Sequence, residues 1–400
     1  MTATGEGVRA YPFGPVDRLE VDPKLAEICG EQPVLRVNLP YGGGDAWLVT
    51  RHADVKAVLA DPRFSRAAAV GEDVPRTVAT GLPSTSMLSM DPPEHSRLRR
   101  RVANAFTVRR VEALRPRVQQ IVNGLLDTMI AAGGPADLTR TLTWPLPITV
   151  ICELLGVPVA DRDRFNVWVD GLLMLSDPAQ STQAREHLND YLAGLIALRR
   201  ITPTDDLLGE LAHVDDEEED RLLDEELVSL GVSLLSAGQE ATANQLGNFV
   251  YTLLTRPDLW QKLVADPALV PDAVEELSRI IPISASAGFT RIALEDVELS
   301  GQTIRAGDAV VAELGIANRD PAVFDHPEEI DFHRGSVPHV TFGHGVHHCL
   351  GAQLARMELR VVLETLLRRL PGLRLAVSVD QISWRTNRLI RGVEALPVSW

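Results

Sequence analysis

Between residues 109 and 255 apolar side chains return at helical spacing in one segment after another, and this succession constrains the fold more than any other feature. The segments 109–132, 145–156, 160–174, 184–199 and 223–255 all carry it. Strand-like runs are sparse: "AWLVT" (46–50), "VELSGQTIRAGDAVVAEL" (297–314) and "LRLAV" (373–377). The expected fold is mainly α with small β-sheets, an α+β layout whose strands come from both ends of the chain. "HVDDEEEDRLLDEEL" (213–227) leads into the longest helix with negative charge, which suits the positive end of the helix dipole. "PISASAGFTRIALEDVELSGQ" (282–302) changes the period from helical to alternating. No repeat, low-complexity tract or Gly/Ser linker divides the chain, so a single domain over residues 1–400 is expected.

A formal net charge of −16 argues against general affinity for nucleic acid or an anionic membrane. The charge is uneven: "RLRRRVANAFTVRRV" (97–111) is a basic island, either a solvated helix face or a patch that attracts an acidic protein. No N-terminal apolar segment resembles a signal or an anchor, and no apolar run approaches the roughly 20 residues that span a bilayer. The three cysteines, Cys29, Cys152 and Cys349, are far apart, which suits a reducing cytoplasm better than a disulfide framework. Cys152 lies in an apolar helical stretch as a small hydrophobe. Only Cys349 has ligand-type company.

That company is "FGHGVHHCLG" (342–351), which runs directly into "CLGAQLARMELRVVLETLLRRL". Zinc is disfavoured because His347, His348 and Cys349 are consecutive, and adjacent side chains do not converge easily on a tetrahedral ion. A redox dithiol lacks its second cysteine three residues away. A single thiolate is stabilised at a helix N-terminus by free N–H groups and the dipole. Gly343, Gly345 and Gly351 allow tight turns and close approach to something flat. A lone thiolate presented by glycines suits an iron centre whose opposite face stays open, as in haem.

The same stretch resembles the haem-binding signature of the cytochrome P450 family, with Phe342, Gly343, Gly345, His347, Cys349 and Gly351 at the family's positions. The resemblance extends over nearly the whole chain, from about "WLVTRHADVKAVL" onward. It implies the P450 fold, with haem b between a long distal helix and the helix that follows the cysteine. It also implies Cys349 as iron ligand, Phe342 near the sulfur and His347 as a propionate partner.

Three further constellations gain meaning from it. "EHSRLRR" places His95 and Arg99 at i and i+4 on one helix face, where they can grip a carboxylate. The resemblance makes that carboxylate a haem propionate and gives another to Arg291. "EELSRI" places Glu276 and Arg279 at i and i+3; the resemblance joins Arg334 to them in a buried structural cluster. In "LLSAGQEATANQLGNFVYTLLTRP", Leu234, Ala237, Gly238 and Ala241 form a small-residue strip at helical spacing, interrupted by Gln239, Glu240 and Thr242. Here the family carries an acid followed by an alcohol that help deliver protons. Glu240 supplies the acid, but Ala241 stands at the alcohol position, and Thr242 is turned roughly 100° away. Water, a polar group of the substrate, or a reaction with less demand for protons can each account for Ala241.

The implied activity is a monooxygenase reaction, hydroxylation or epoxidation, on a bulky apolar small molecule of the macrolide, polyketide or cyclic-peptide kind. No flavin or iron–sulfur motif is read, so electrons are expected from a separate ferredoxin and its reductase, with Arg100, Arg101, Arg109 and Arg110 as docking face. By family position the substrate pocket takes Leu172, Met174, Leu234, Ala237, Gly238, Ser284, Ala285, Ala287, Phe289 and Ile390, with the 66–88 loop as a lid. Oxidative C–C or C–N coupling without oxygen insertion, and a non-catalytic haem sensor, are the alternatives.

Overall fold

A computed structural model describes residues 8–14, 18–79, 81–172, 178–213, 222–284, 286–335, 338–386 and 388–400. The chain forms two compact units, each built from discontinuous segments: residues 1–96, 278–330 and 336–349 in one, and 97–277, 331–335 and 350–400 in the other.

The first unit is organised by a six-stranded mixed sheet in the order Arg9–Ala10, Val34–Asn38, Asp45–Val49, Ala309–Ala312, Arg291–Ala293, Phe64–Ser65. Its strands come from distant parts of the sequence, as the sparse alternating runs foretell. Period-two alternation sorts side chains to the two faces. Val34, Val49, Val310 and Ala312 join one core cluster with Val55, Val58 and Phe64. Leu35, Leu48, Ala309 and Val311 join the other with Val37 and Tyr11. A one-residue slip between Asp45–Val49 and Ala309–Ala312 would invert this partition, so the register Leu48↔Val311 is fixed by burial on both faces. The hairpin Val297–Leu299/Gln302–Ile304 turns through Ser300 and Gly301, both with positive φ (45° and 79°), the geometry whose twist matches the flanking strands.

The second unit is helical. Val108–Ala132, Pro145–Leu155, Arg162–Leu172, Pro178–Ile201, Leu207–Ala212, Asp224–Thr255, Pro257–Ala265 and Ala352–Arg369 carry it, with a small sheet Arg374–Leu375, Pro397–Ser399, Ala136–Asp137. Pro145 begins its helix where a missing N–H costs nothing, and Gly156 ends it in the left-handed region at φ 77°. Pro178–Ile201 starts six residues earlier than its apolar period suggests, because its first turns, "PAQSTQ", are polar. Asp224–Thr255 opens with Asp224, Glu225 and Glu226, and the Glu226 carboxylate accepts from the Leu223 N–H at 2.9 Å. The acidic lead-in thus does what its charge predicts, although residues 214–221 of it lie outside the described residues. Glu94–Ala103 and Val270–Ile280 run from one unit into the other.

Candidate functional site

The cysteine loop is shaped by two glycines. Gly343 (φ 73°) and Gly345 (φ 70°) both occupy the left-handed region, and the Cys349 N–H donates to the Phe342 carbonyl at 2.8 Å, closing the loop on itself. Gly345 also presses on the helix His52–Ala60: a Cβ there would lie 2.5 Å from the Leu59 carbonyl oxygen and 2.7 Å from Ala60 Cα. Cys349 is exposed, three positions ahead of the first residue of Ala352–Arg369, with Gly351 as the residue that precedes that helix. The loop's histidines and Cys349 do not gather as a metal cluster: among the described residues no group of three or more His, Cys, Asp or Glu could hold an ion.

What does gather is positive charge. His95 is buried and its ring lies 4.3 Å, centroid to centroid, from that of His347. Both ring nitrogens of His347 are buried without a hydrogen-bond partner. Its pKa is pushed down to about 3, first by burial and then by His95, Arg291 and Arg66. Arg66 and Arg291 are both buried. Arg66 donates through Nε to the Leu88 carbonyl at 2.8 Å and through an Nη to that of Thr290 at 2.7 Å, while its guanidinium lies 4.9 Å from the centroid of the Phe289 ring. Arg291 donates to the Phe64 carbonyl at 3.2 Å. Burial and mutual repulsion lower Arg66 to about 9; burial lowers Arg291 to about 10, so both stay cationic at neutral pH. Asp91 is the carboxylate that bears on this set. It accepts from the Arg66 N–H at 2.8 Å and from the Ser65 hydroxyl. Two guanidiniums against one carboxylate leave a buried excess of positive charge, and burying such charge is costly unless an anion compensates it. A haem, which brings two propionates, fits this donor set.

His95, Arg291 and His347 are therefore brought together as the sequence predicts, and Arg99 sits one turn beyond His95 on Glu94–Ala103, half-buried. Arg66 was missed. It reaches Arg291 only because Phe64–Ser65 pairs with Arg291–Ala293 across more than 200 residues, and no local pattern reports that pairing.

Both members of "EELSRI" are buried and bonded. The Glu276 carboxylate accepts from Arg334 Nε at 3.1 and 3.2 Å and from the Asp331 N–H at 3.0 Å. Arg279, 1% exposed, donates to the carbonyls of Asn318, Pro327 and Glu329 at 2.9, 2.8 and 3.1 Å and lies over Phe324. Phe342 has a ring neighbour in His339, 5.9 Å away.

On Asp224–Thr255, Gln239, Glu240 and Thr242 are buried, Ala241 is half-buried and Ala237 is exposed. Ala237 and Ala241, one turn apart, form an open stripe just ahead of residues 242–253, all of which are buried. Gly238 does not share it: a Cβ there would meet Ile151 Cγ1 at 3.1 Å, so this glycine serves close packing on Pro145–Leu155. Leu172 and Leu234 are buried, Ser284 and Ile390 half-buried, and Phe289 exposed. Ala287 departs from the pocket expectation, since its side chain sits in the core cluster beneath the sheet and its N–H donates to the Tyr11 hydroxyl at 2.6 Å. Met174 and Ala285 lie outside the described residues. The 66–88 loop is tied to itself by Arg76, which donates to the carbonyls of Glu72 and Ala79 at 2.5 and 3.1 Å. A groove of about 430 Å³ between Val108–Ala132, Pro145–Leu155 and Leu207–Ala212 contains none of these residues.

The basic island is partly neutralised. Arg97 pairs with Glu226, and Arg110 pairs with Glu210 at 2.9 Å; Arg100, Arg109 and Arg110 are exposed. Among the described residues no helix is long and apolar enough to cross a membrane.

Comparison with known proteins gives a concordant result. A family model described as Cytochrome P450 matches residues 182–372. The chain is 52% identical, over 99% of its length and 100% of the relative's, to nocardicin C N-oxygenase of Nocardia uniformis subsp. tsuyamanensis. It is 49% identical to mycinamicin IV hydroxylase/epoxidase of Micromonospora griseorubida, covering 98% of each chain. The crystal structure of the LnmA cytochrome P450 hydroxylase from the leinamycin biosynthetic pathway of Streptomyces atroolivaceus superposes with a TM-score of 0.92 at 51% identity, over 98% of this chain and 100% of that one.

Proposed function

The chain belongs to the cytochrome P450 family, and on that premise we propose that it is a monooxygenase whose haem is ligated by Cys349 and anchored by His95, Arg99, Arg291, His347 and Arg66. The observation that carries the assignment is the buried cationic cluster, in which both nitrogens of His347 await a partner two residues from Cys349. When bound, a thiolate-ligated haem supplies the activation of dioxygen by favouring O–O cleavage. The chain supplies the rest. Gly343 and Gly345 hold the cysteine loop in a single turn; Glu276 and Arg334 fix the segment ahead of it. Ala237 and Ala241 leave the distal helix open on one stripe, and Glu240 provides the buried acid beside it. With no hydroxyl at position 241, proton delivery runs from Glu240 through a polar group of the substrate or a water it orders.

The substrate is a bulky, largely apolar natural product of the macrolide, polyketide or cyclic-peptide class, hydroxylated or epoxidised. The hydroxylase/epoxidase name of the Micromonospora relative supports this reading, the N-oxygenase name of the Nocardia relative supports oxygen transfer more generally, and the small-residue stripe leaves room for bulk. Electrons come from a ferredoxin and its reductase in the cytoplasm. Arg100, Arg109 and Arg110 are exposed on the island and would meet the acidic partner. The test is the carbonyl spectrum of the reduced, purified protein, which should show the red-shifted band of thiolate ligation and lose it in Cys349→Ala. A colourless protein, or a band unaltered by that substitution, overturns the assignment. With a turned-over substrate, labelled dioxygen separates insertion, which carries the label into the product, from coupling, which does not.

A further inference from the structure

Residues 383–385 pair antiparallel with residues 392–394 as the two arms of a hairpin. The Glu394 N–H donates to the Ser383 carbonyl at 2.8 Å, the Arg385 N–H to that of Gly392 at 2.9 Å, and Trp384 bridges Val393 antiparallel. This hairpin docks on the long helix Asp224–Thr255 through a run of side chains at helical spacing. Tyr251 meets Trp384 edge-on at 4.9 Å. Asn248, fully buried, donates through Nδ2 to the Arg391 carbonyl at 3.0 Å. Asn244 is also buried, and its Nδ2 is held by the Glu240 carbonyl at 2.9 Å, which fixes its rotamer. The Asn244 carboxamide oxygen is thereby left so close to Gly392 that no Cβ fits at position 392. Gly392 has no positive φ, so close approach, and not backbone conformation, requires the glycine there.

Two asparagines in a buried helix face are costly without a purpose, since burying an amide is unfavourable unless it is bonded. At roughly 100° per residue, Ala237, Ala241, Asn244, Asn248 and Tyr251 fall within one quadrant of the helix. The stripe that stays open at Ala237 and Ala241 is therefore closed by the hairpin from Asn244 onward. We propose that Asn244 and Asn248 are positioning residues: they set how far the strand 391–393 of the hairpin reaches along the helix toward the open stripe, and so determine the bulk of substrate accepted there. This rests on the monooxygenase reading for the identity of the stripe as a substrate wall.

The experiment compares two probes that ligate haem iron through the same nitrogen but differ in bulk, imidazole and 4-phenylimidazole, by spectral titration of the haem-loaded protein. In Asn248→Leu, the bulky probe should change its Kd by about fivefold or more, the scale of one buried hydrogen bond, while imidazole stays within about twofold. Gly392→Ala, which disturbs the same contact from the hairpin side, should reproduce the split. Amide exchange at Arg385 should quicken in both variants while the helix Asp224–Thr255 keeps its protection. Parallel changes for both probes, or no change for either, overturn the proposal. Absence of any imidazole shift in the unaltered protein overturns the monooxygenase reading, and this assignment with it.

Discussion

Three glycines with nearly the same backbone conformation allow strain and steric fit to be separated. Gly301, Gly343 and Gly345 have φ of 79°, 73° and 70°, so alanine at each incurs the same left-handed penalty, about 1–2 kcal/mol. Their surroundings differ. Nothing lies within 4 Å of a Cβ at Gly301, and at Gly343 the nearest atom is the His347 carbonyl oxygen at 3.8 Å. At Gly345 the Cβ would meet the backbone of Leu59 and Ala60 at 2.5 and 2.7 Å, and backbone cannot swing aside as a flexible side chain would. Overpacking of that kind adds about 1–3 kcal/mol, so Gly345→Ala should cost about 2–5 kcal/mol in all. Thermal unfolding followed by far-ultraviolet circular dichroism reads the difference, at about 2–4 °C per kcal/mol for a unit of this size. Gly301→Ala and Gly343→Ala should fall together, and Gly345→Ala clearly below them. Haem content adds a second readout, because only the loop glycines shape the backbone that presents Cys349. If Gly345→Ala melts with Gly301→Ala and keeps its haem, the close approach to His52–Ala60 does not constrain the loop and the reasoning is wrong.

Glu276→Ala removes the carboxylate from a nearly buried Arg334, and denaturant titration should show a loss of about 3–5 kcal/mol, with Glu276→Gln recovering part through the Asp331 N–H. Tyr11→Phe deletes the hydroxyl that donates to Glu313 and accepts from Ala287, each at 2.6 Å; the buried N–H left behind should cost about 1–3 kcal/mol and speed amide exchange at Ala287. Glu358, buried on Ala352–Arg369 with Oε2 lacking a partner, has its pKa raised by burial to about 8. A raised carboxyl pKa means the native protein holds a proton that the unfolded chain releases above about 4.5. Stability is therefore fully present below that pH and is lost as pH climbs toward 8, by up to about 5 kcal/mol. Glu358→Gln should flatten this decline; an unchanged slope would show that the carboxyl is ionised in the folded state.

Local signals were legible where they were periodic. The five helical segments appear, Pro178–Ile201 starting six residues early and the described ends of the others within two residues, and the alternating run at 297–314 resolves into three short strands. That His95, Arg291 and His347 belong to one site was legible because each stands in a short motif of the resemblance, and the structure brings the three together. Arg66 was not, since sheet pairing alone carries it to Arg291. Gly238 was grouped with Ala237 for its size, but one residue along a helix is a turn of about 100°, and that rotation aims it at Ile151. Small residues signal close approach without naming the neighbour, and only the packing of Pro145–Leu155 decides it.

The polar residues of the long helix show why composition alone could not sort them. Gln239, Glu240, Thr242, Asn244 and Asn248 look alike as interruptions of an apolar run, yet their angular positions give them different work. Asn244 and Asn248 lie on the sector of Ala237 and Ala241, and the hairpin takes them up. Glu240 lies about 100° away from Ala241, buried at the edge of the open stripe. A buried acid beside an alanine where a hydroxyl could stand, and an amide clamp one and two turns further on, leave the stripe bounded by chemistry at one side and by a fixed wall at its end. In the proposed reading a substrate lying on it meets the hairpin at one end and Glu240 at one side, so substrate fit and proton supply would be set from adjacent faces of one helix.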